Sequence, residues 1–347
     1  MRGMMLRAIW LALIFGLPAT SRAQTNPDLE TYFKDYIGLT DEQIRAIRGG
    51  RAFAKNLHSR MADEIFVFGA VYINAAPESY LRFAQDFNRL RSVPGFLAIG
   101  EFSEPPQLSD LEALTLDSED VKELKDCRPG DCKIQLPASS IADVHRLVDW
   151  SQPNAAEELD EFVRKKVLEH LINYQREGNE VLGIYNDKRN PTEVPEQFRY
   201  MLGYSKALPK YLPDFYNYLL SYPRDKPANV RNSFYWAKVK FGLKPTLRIV
   251  HVLTLHGDGA SEPVYAIAEK QLYSSHYFQT ALDLTFCVRD TTDPQTTGFY
   301  LIKTLGSEQT GLTGFKGSIV RKVATDRSSS SLEKSLSAIK EALEHGE

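Results

Sequence analysis

The chain has 347 residues, of which 43% are hydrophobic, 25% charged and 11% aromatic. That balance excludes a disordered, collagen-like or coiled-coil protein, and the length can build a sizeable core in one large domain or two smaller ones. The formal charge of -3 leaves no basic excess to hold a phosphate backbone, so no nucleic-acid partner is expected.

Residues 1–23 read as a signal peptide. Arg2 and Arg7 supply a positive start, and Ala8 to Leu17 is an apolar run too short to span a bilayer comfortably. Ser21-Arg22-Ala23 places small residues at the exit, so cleavage is expected before Gln24. The competing reading is a buried amino-terminal helix. No later segment is long and apolar enough to be transmembrane. The expected product is soluble and periplasmic, with secretion as the alternative.

Residues 24–59 form an N-terminal helical segment, with Thr40 and Gln43 as a capping box and Gly49-Gly50 as the stop. Asp63 to Asn74 is β-rich and apolar on both faces, which predicts a buried strand. Pro77 opens a helix whose packed face carries Tyr80, Leu81, Phe83, Ala84, Phe87 and Leu90. Phe96–Phe102 and Cys132–Leu136 read as two further strands, and helices follow at about 138–149 and 155–177.

Cys127 and Cys132 bracket a Pro-Gly turn, so the thiols lie close and a disulfide is expected in an oxidising compartment. Free thiols or a functional pair are the alternatives. Cys287 reads as a small buried hydrophobe.

Residues 198–223 are rich in aromatics and punctuated by Pro209, Pro213 and Pro223, which predicts short helices. Three roles stay open for them: packing under a lid, lining a cavity mouth, and transient membrane contact with Lys206 and Lys210. The second half changes character. Strand-like runs follow at Phe234–Phe241, Thr246–His256, Val264–Tyr273, Phe278–Arg289 and Gly298–Leu305, with turns at Gly257–Gly259 and Asp290–Gly298. A sixth run, Gly317–Ala324, leads to a last helix entered at Ser330 through a capping box with Glu333. Consecutive strands with short links predict an antiparallel meander, and with the terminal helix an α+β fold.

This order, with Phe68-Gly-Ala-Val-Tyr-Ile-Asn-Ala-Ala-Pro-Glu78 as first strand and helix start and Gly314-Phe-Lys-Gly-Ser-Ile-Val-Arg321 before the terminal helix, resembles the START-like (helix-grip, polyketide cyclase-like) superfamily. The resemblance spans most of residues 60–345 and carries a helical insertion at about 105–225. It implies an antiparallel sheet curled around the last helix, with a cavity between them for a lipid, sterol or other apolar molecule. It transfers no catalytic residues.

Hydrolase-elbow, P-loop, dinucleotide-binding and H-E-x-x-H motifs are absent from the sequence, and no two histidines share i, i+4 spacing. No cofactor and no metal are expected. His251 shares a strand face with Leu247, Ile249, Leu253 and Leu255, so it is a satisfied core residue or a polar group inside a ligand cavity. On the helix-grip reading this face looks into the cavity or onto the terminal helix.

Phe278, Leu282, Leu284, Phe286 and Val288 read as the core face of their strand. Gln279, Asp283, Thr285 and Cys287 read as its solvent face, or as a polar cluster with Glu269 and Gln271. His276 and Tyr277 occupy a turn, either exposed or guarding a cavity mouth. The ligand-binding candidates are His251, Tyr235, Tyr265, Trp236 and Tyr277. The leading expectation is non-covalent binding, and carriage, of a hydrophobic small molecule or lipid. The alternatives are a cyclase- or hydrolase-type enzyme, with His251 as acid or base and Tyr235 or Tyr265 polarising, and an interaction module without ligand.

Overall fold

A computed structural model describes residues 29–93, 95–241, 244–259, 263–290, 297–312 and 314–346. The signal-peptide reading and most of the turn after Asp290 lie outside these residues. The chain runs through α1 Leu29–Thr31, a π-helical turn Tyr32–Tyr36, α2 Asp41–Arg48, β1 Phe53–Asn56, β2 Glu64–Ile73, α3 Pro77–Ala84, α4 Phe87–Ser92 and β3 Phe96–Glu101. A helical stretch follows: a 3-10 turn Leu108–Leu111, α5 Ser118–Asp126, α6 Ala138–Leu147, α7 Ala155–Glu177 and a second 3-10 turn Gly178–Leu182. It continues through the short strands β4 Ile184–Tyr185 and β5 Thr192–Glu193 to α8 Val194–Leu202, α9 Leu208–Tyr211 and α10 Pro213–Ser221. The chain ends with β6 Val230–Phe241, β7 Lys244–His256, β8 Tyr265–Ser274, β9 Phe278–Arg289, β10 Phe299–Gln309 and α11 Gly314–His345.

The main sheet has the order β1-β2-β10-β9-β8-β7-β6-β3 and every pairing is antiparallel. The fold is α+β, with the meander β6 to β10 closing against β2. Both faces of the sheet are covered. On the inner face Leu332, Leu336 and Ile339 of α11 pack over β2, and α3 and α4 lie farther along. Gly69 permits that approach, because a Cβ there would stand 2.7 Å from both Leu332 and Leu336. On the outer face the N-terminal helices cover β2, β10 and the end of β9, and the insertion covers β6 to β9.

Four local expectations change. Gly317–Ala324 is helix, and α11 runs without a break through Ser330. Ser318, Thr325, Ser329 and Ser337 satisfy their hydroxyls on backbone carbonyls one turn back, which lets a hydroxyl-rich stretch stay helical. Cys132–Leu136 is not a strand. It is an irregular segment bonded to residues 186–188, with the Cys132 amide donating to Asp187 O at 2.9 Å. Residues 24–59 are not wholly helical, since Phe53–Asn56 pairs with β2. Cys287, Thr285 and Ala281 are buried, so the expected solvent face of β9 is the inner face of a covered sheet.

The Cys127–Cys132 disulfide is formed and anchors a small cluster with Leu124, Ile134, Ile141 and Val144. Replacing both cysteines by serine is expected to lower stability by about 2 kcal/mol, the chain-entropy value for so short a loop. Urea unfolding with and without reductant checks this, and the double variant should be insensitive to reductant.

Candidate functional site

The five sequence candidates do not converge. Alternation along β6 and β7 sends His251 and Trp236 to the outer face, and Tyr235, like Tyr265 of β8, to the inner one. Trp236 is buried, and its Nε1 donates to Asp110 O at 2.8 Å, which ties β6 to the start of the insertion. Tyr277 has a φ of 63° in the β8–β9 turn, and its hydroxyl accepts from the Lys244 amide at 3.0 Å. Both act structurally.

His251 faces the insertion, not α11. It is fully buried between Phe234, Tyr222 and Tyr174, with ring centroids 4.4, 4.6 and 5.6 Å away. Its hydrogen bonds fix the tautomer. Asn232 donates through Nδ2 to Tyr218 at 2.8 Å, so its Oδ1 meets His251 Nε2 at 3.1 Å and that nitrogen must carry the proton. His251 Nδ1 then accepts from the Tyr174 hydroxyl at 2.9 Å. Tyr174 in turn accepts from Lys270 Nζ at 3.2 Å, and Lys270 also donates to Asn179.

Burial, reinforced by Lys270, holds His251 well below its ordinary range, and burial alone holds Lys270 well below its own. Burial raises the Tyr174 phenol. The row is a closed chain of donors and acceptors under α7, and each polar atom has a use within it. His251 is therefore a satisfied core histidine.

The outer face does contain a pocket, elsewhere. A cavity of about 400 Å³ lies at the seam between the N-terminal helices and the α8–α9 segment. Leu284, Phe286 and Ile302 of the sheet line it together with Tyr32, Tyr204 and Leu208. Tyr204 stacks on Phe66 with centroids 3.8 Å apart and donates its hydroxyl to His58 O at 2.7 Å, so that wall is firm. Burial pushes the Tyr32 phenol up to about 12 against an opposing hydrogen bond from Thr304, so it stays neutral. The charged lining residues are Arg60 and Lys206, both cations. Arg60 pairs with buried Glu64 at 2.9 Å and lies over the Tyr200 ring at 3.6 Å.

The aromatic segment 198–223 supplies core and pocket wall. Phe198, Phe215 and Tyr218 are buried, while Tyr200, 42% exposed, lies under Arg60. That burial commits these three rings to the core beneath the pocket wall. No helix among the described residues is long and apolar enough to cross a bilayer.

On the inner face, Glu269 of β8 lies directly across from Asp283 of β9, and Lys303 of β10 sits nearby with its Nζ 3.3 Å from the Tyr80 hydroxyl. Burial, and then the Glu269 charge, raise Asp283 to about 6, with Arg248 and Lys303 opposing. Burial followed by Glu269 also raises the Tyr235 phenol. The polar cluster of Glu269 and Asp283 thus forms, under cover, but Gln279 is not part of it. Gln279 is the extra residue of a bulge against β10 and turns to Thr192, 2.7 Å from its Nε2.

His276 is buried, not an exposed turn residue. Its ring bridges Lys133 O and Asp120 Oδ1, each at 3.0 Å, and docks α5 on the sheet. The described residues hold no group of three or more His, Cys, Asp or Glu that could take a metal ion.

Sequence reasoning missed Lys270, His276's partner Asp120, and the Tyr32 wall. A legible signal existed for Lys270: Glu269-Lys270-Gln271 interrupts an otherwise apolar strand. For the pocket only the aromatic segment 198–223 gave one, as a possible cavity lining, because the other walls come from segments far apart in the chain.

The fold and the pocket define an α+β protein whose covered sheet encloses an apolar cavity. No family model matches the chain, and no curated protein matches it in sequence.

Proposed function

We propose that this protein binds a hydrophobic small molecule or lipid non-covalently in the outer-face pocket, and carries it in the periplasm after export. The observation that carries this reading is the apolar cavity of about 400 Å³ between the sheet, the N-terminal helices and α9. Its volume suits a drug-sized ligand, and its few polar groups suit orientation. Each 100 Å² or so of ligand apolar surface removed from water contributes roughly 2.5 kcal/mol. Arg60 is already paired with Glu64, so Lys206 is the lining cation that ranks an apolar chain ending in a carboxylate above one ending in an amine. The chain order from β2 through α3 and the meander to α11 supports a place near the START-like superfamily, with the ligand on the opposite face from the one that resemblance implies.

Native mass spectrometry of the protein purified from its own compartment, with solvent extraction, should show a co-purifying apolar molecule. In titrations with dodecanoate and dodecylamine, dodecanoate should bind more tightly. Ala207→Trp, which fills the cavity from its α9 wall, should weaken dodecanoate at least tenfold while the circular dichroism is unchanged. Equal binding by the variant would sink the assignment.

A further inference from the structure

A second cavity, of about 250 Å³, lies on the outer face between α5, α6, α7 and strands β7 and β8. It is separate from the first and does not depend on it. Leu247, Ile249 and Leu272 of the sheet line it, with Leu136, Val163 and Val167 from the insertion. Two of its lining residues carry buried polar atoms whose only neighbours in reach, the Ser274 and Leu272 backbone, lie outside close hydrogen-bond geometry. The Tyr185 hydroxyl and His170 Nε2 are both buried and without a hydrogen-bond partner. Tyr185 is 2% exposed and packs edge-on to Tyr273, with centroids 6.3 Å apart.

Buried polar atoms are almost always satisfied, because leaving one unpaired costs on the order of 1–3 kcal/mol. Here two such atoms border one apolar cavity. The charged residues that also line it are engaged elsewhere. Lys166 pairs with Asp143 at 3.0 Å and Glu169 at 3.3 Å, and Asp120 is bonded to His276 at 3.0 Å.

We infer that this cavity is a second ligand site, built for a compact, uncharged and mostly apolar molecule with one hydroxyl group, anchored by Tyr185 and His170. A hydroxyl fits because it accepts from the Tyr185 phenol and donates to an imidazole lone pair at once. Burial raises the Tyr185 phenol and lowers the His170 imidazole, despite nearby Ser274 and Leu272 backbone, so both anchors are neutral at physiological pH. A carboxylate would enter with no cation free to meet it.

Binding of 4-propylphenol, propylbenzene and 4-propylbenzoate to the full protein, measured by ligand-observed NMR, tests this. The phenol should bind about tenfold more tightly than the hydrocarbon, the size of one buried hydrogen-bond mismatch, and the benzoate should be weakest. Tyr185→Phe, which keeps the ring, should remove most of the phenol's advantage and leave propylbenzene unchanged. Val163→Trp should abolish phenol binding, whereas Ala207→Trp in the first pocket should not. Equal affinity for phenol and hydrocarbon overturns the inference. So does an unaltered preference in Tyr185→Phe, phenol binding lost in Ala207→Trp but kept in Val163→Trp, or no saturable phenol binding at all.

Discussion

Gly178→Ala should destabilise the protein by roughly 3–5 kcal/mol, the sum of a glycine-only backbone and a backbone overlap. Gly178 ends α7 at φ 80° and ψ -144°. A Cβ there would overlap the carbonyl oxygen of Tyr222 and stand 2.8 Å from its carbonyl carbon and 3.0 Å from Pro223 Cδ. Neither side can yield cheaply. Asn179 donates to Leu219 O at 3.0 Å and Leu220 O at 2.7 Å, which clamps the end of α10, and Tyr222 stacks on Tyr174 at 4.8 Å. Displacing Tyr222 would also open the hydrogen-bonded row around His251. Gly130→Ala is the internal control: it has a similar φ of 84° and nothing within 4 Å of the added Cβ, so only the backbone strain of about 1 kcal/mol is expected. Urea unfolding of both variants decides the matter. Equal losses in the two would show that the Tyr222 contact is unimportant.

Glu308→Gln should stabilise the protein by roughly 3 kcal/mol at pH 8 and hardly at all at pH 4. Glu308 of β10 and Glu64 of β2 are both buried and directly opposed across the ladder. Arg60 pairs with Glu64, and the Arg60 and Met61 amides donate to the same carboxylate at 3.0 and 3.2 Å. Glu308 has the amide of Gln197. Burial first, then Asp63 and Glu64, raise Glu308 from 4.5 to about 7, with Arg60 opposing. A carboxyl held above its unfolded value keeps a proton that the unfolded chain releases. The native state therefore loses stability as pH rises from about 4.5 to about 7, and carries the full penalty above that, roughly 3 kcal/mol by pH 8. Glutamine preserves the acceptor for Gln197 and cannot ionise. The difference in unfolding free energy between variant and wild type, followed from pH 4 to pH 8, should grow with that midpoint. A flat difference would remove Glu308 as its source.

Several elements were legible because one local rule decided each. The Thr40–Gln43 capping box is present in full, with Gln43's amide donating to Thr40 Oγ1 and its side chain accepting from the Thr40 amide. The 3.6-residue spacing of Leu159, Val167 and Leu171 located α7 over Ala155–Glu177, and alternation from Leu282 onward located β9 over Phe278–Arg289. The Pro-Gly turn brought Cys127 and Cys132 together. The start of α11 was misread because β-branched residues and glycine outweighed helical spacing, and the serine run looked like an entrance rather than a back-bonded interior.

What the sequence determined by itself was the position of most long strands and helices, one apolar side of each, and that the whole is α+β. Local periodicity and turn chemistry suffice for that. Which cover each apolar side receives was decided only by the tertiary structure. His251 and its leucine neighbours pointed to a buried face in either case, but only the docking of α7 turned that face into a closed hydrogen-bonded row under the insertion. The first pocket is bounded by Tyr32, Tyr204 and Ile302 from three distant segments, and the second by α5, α6, α7 and β8. Cavities are gaps between elements, and their walls are set by long-range packing that no local window of residues encodes.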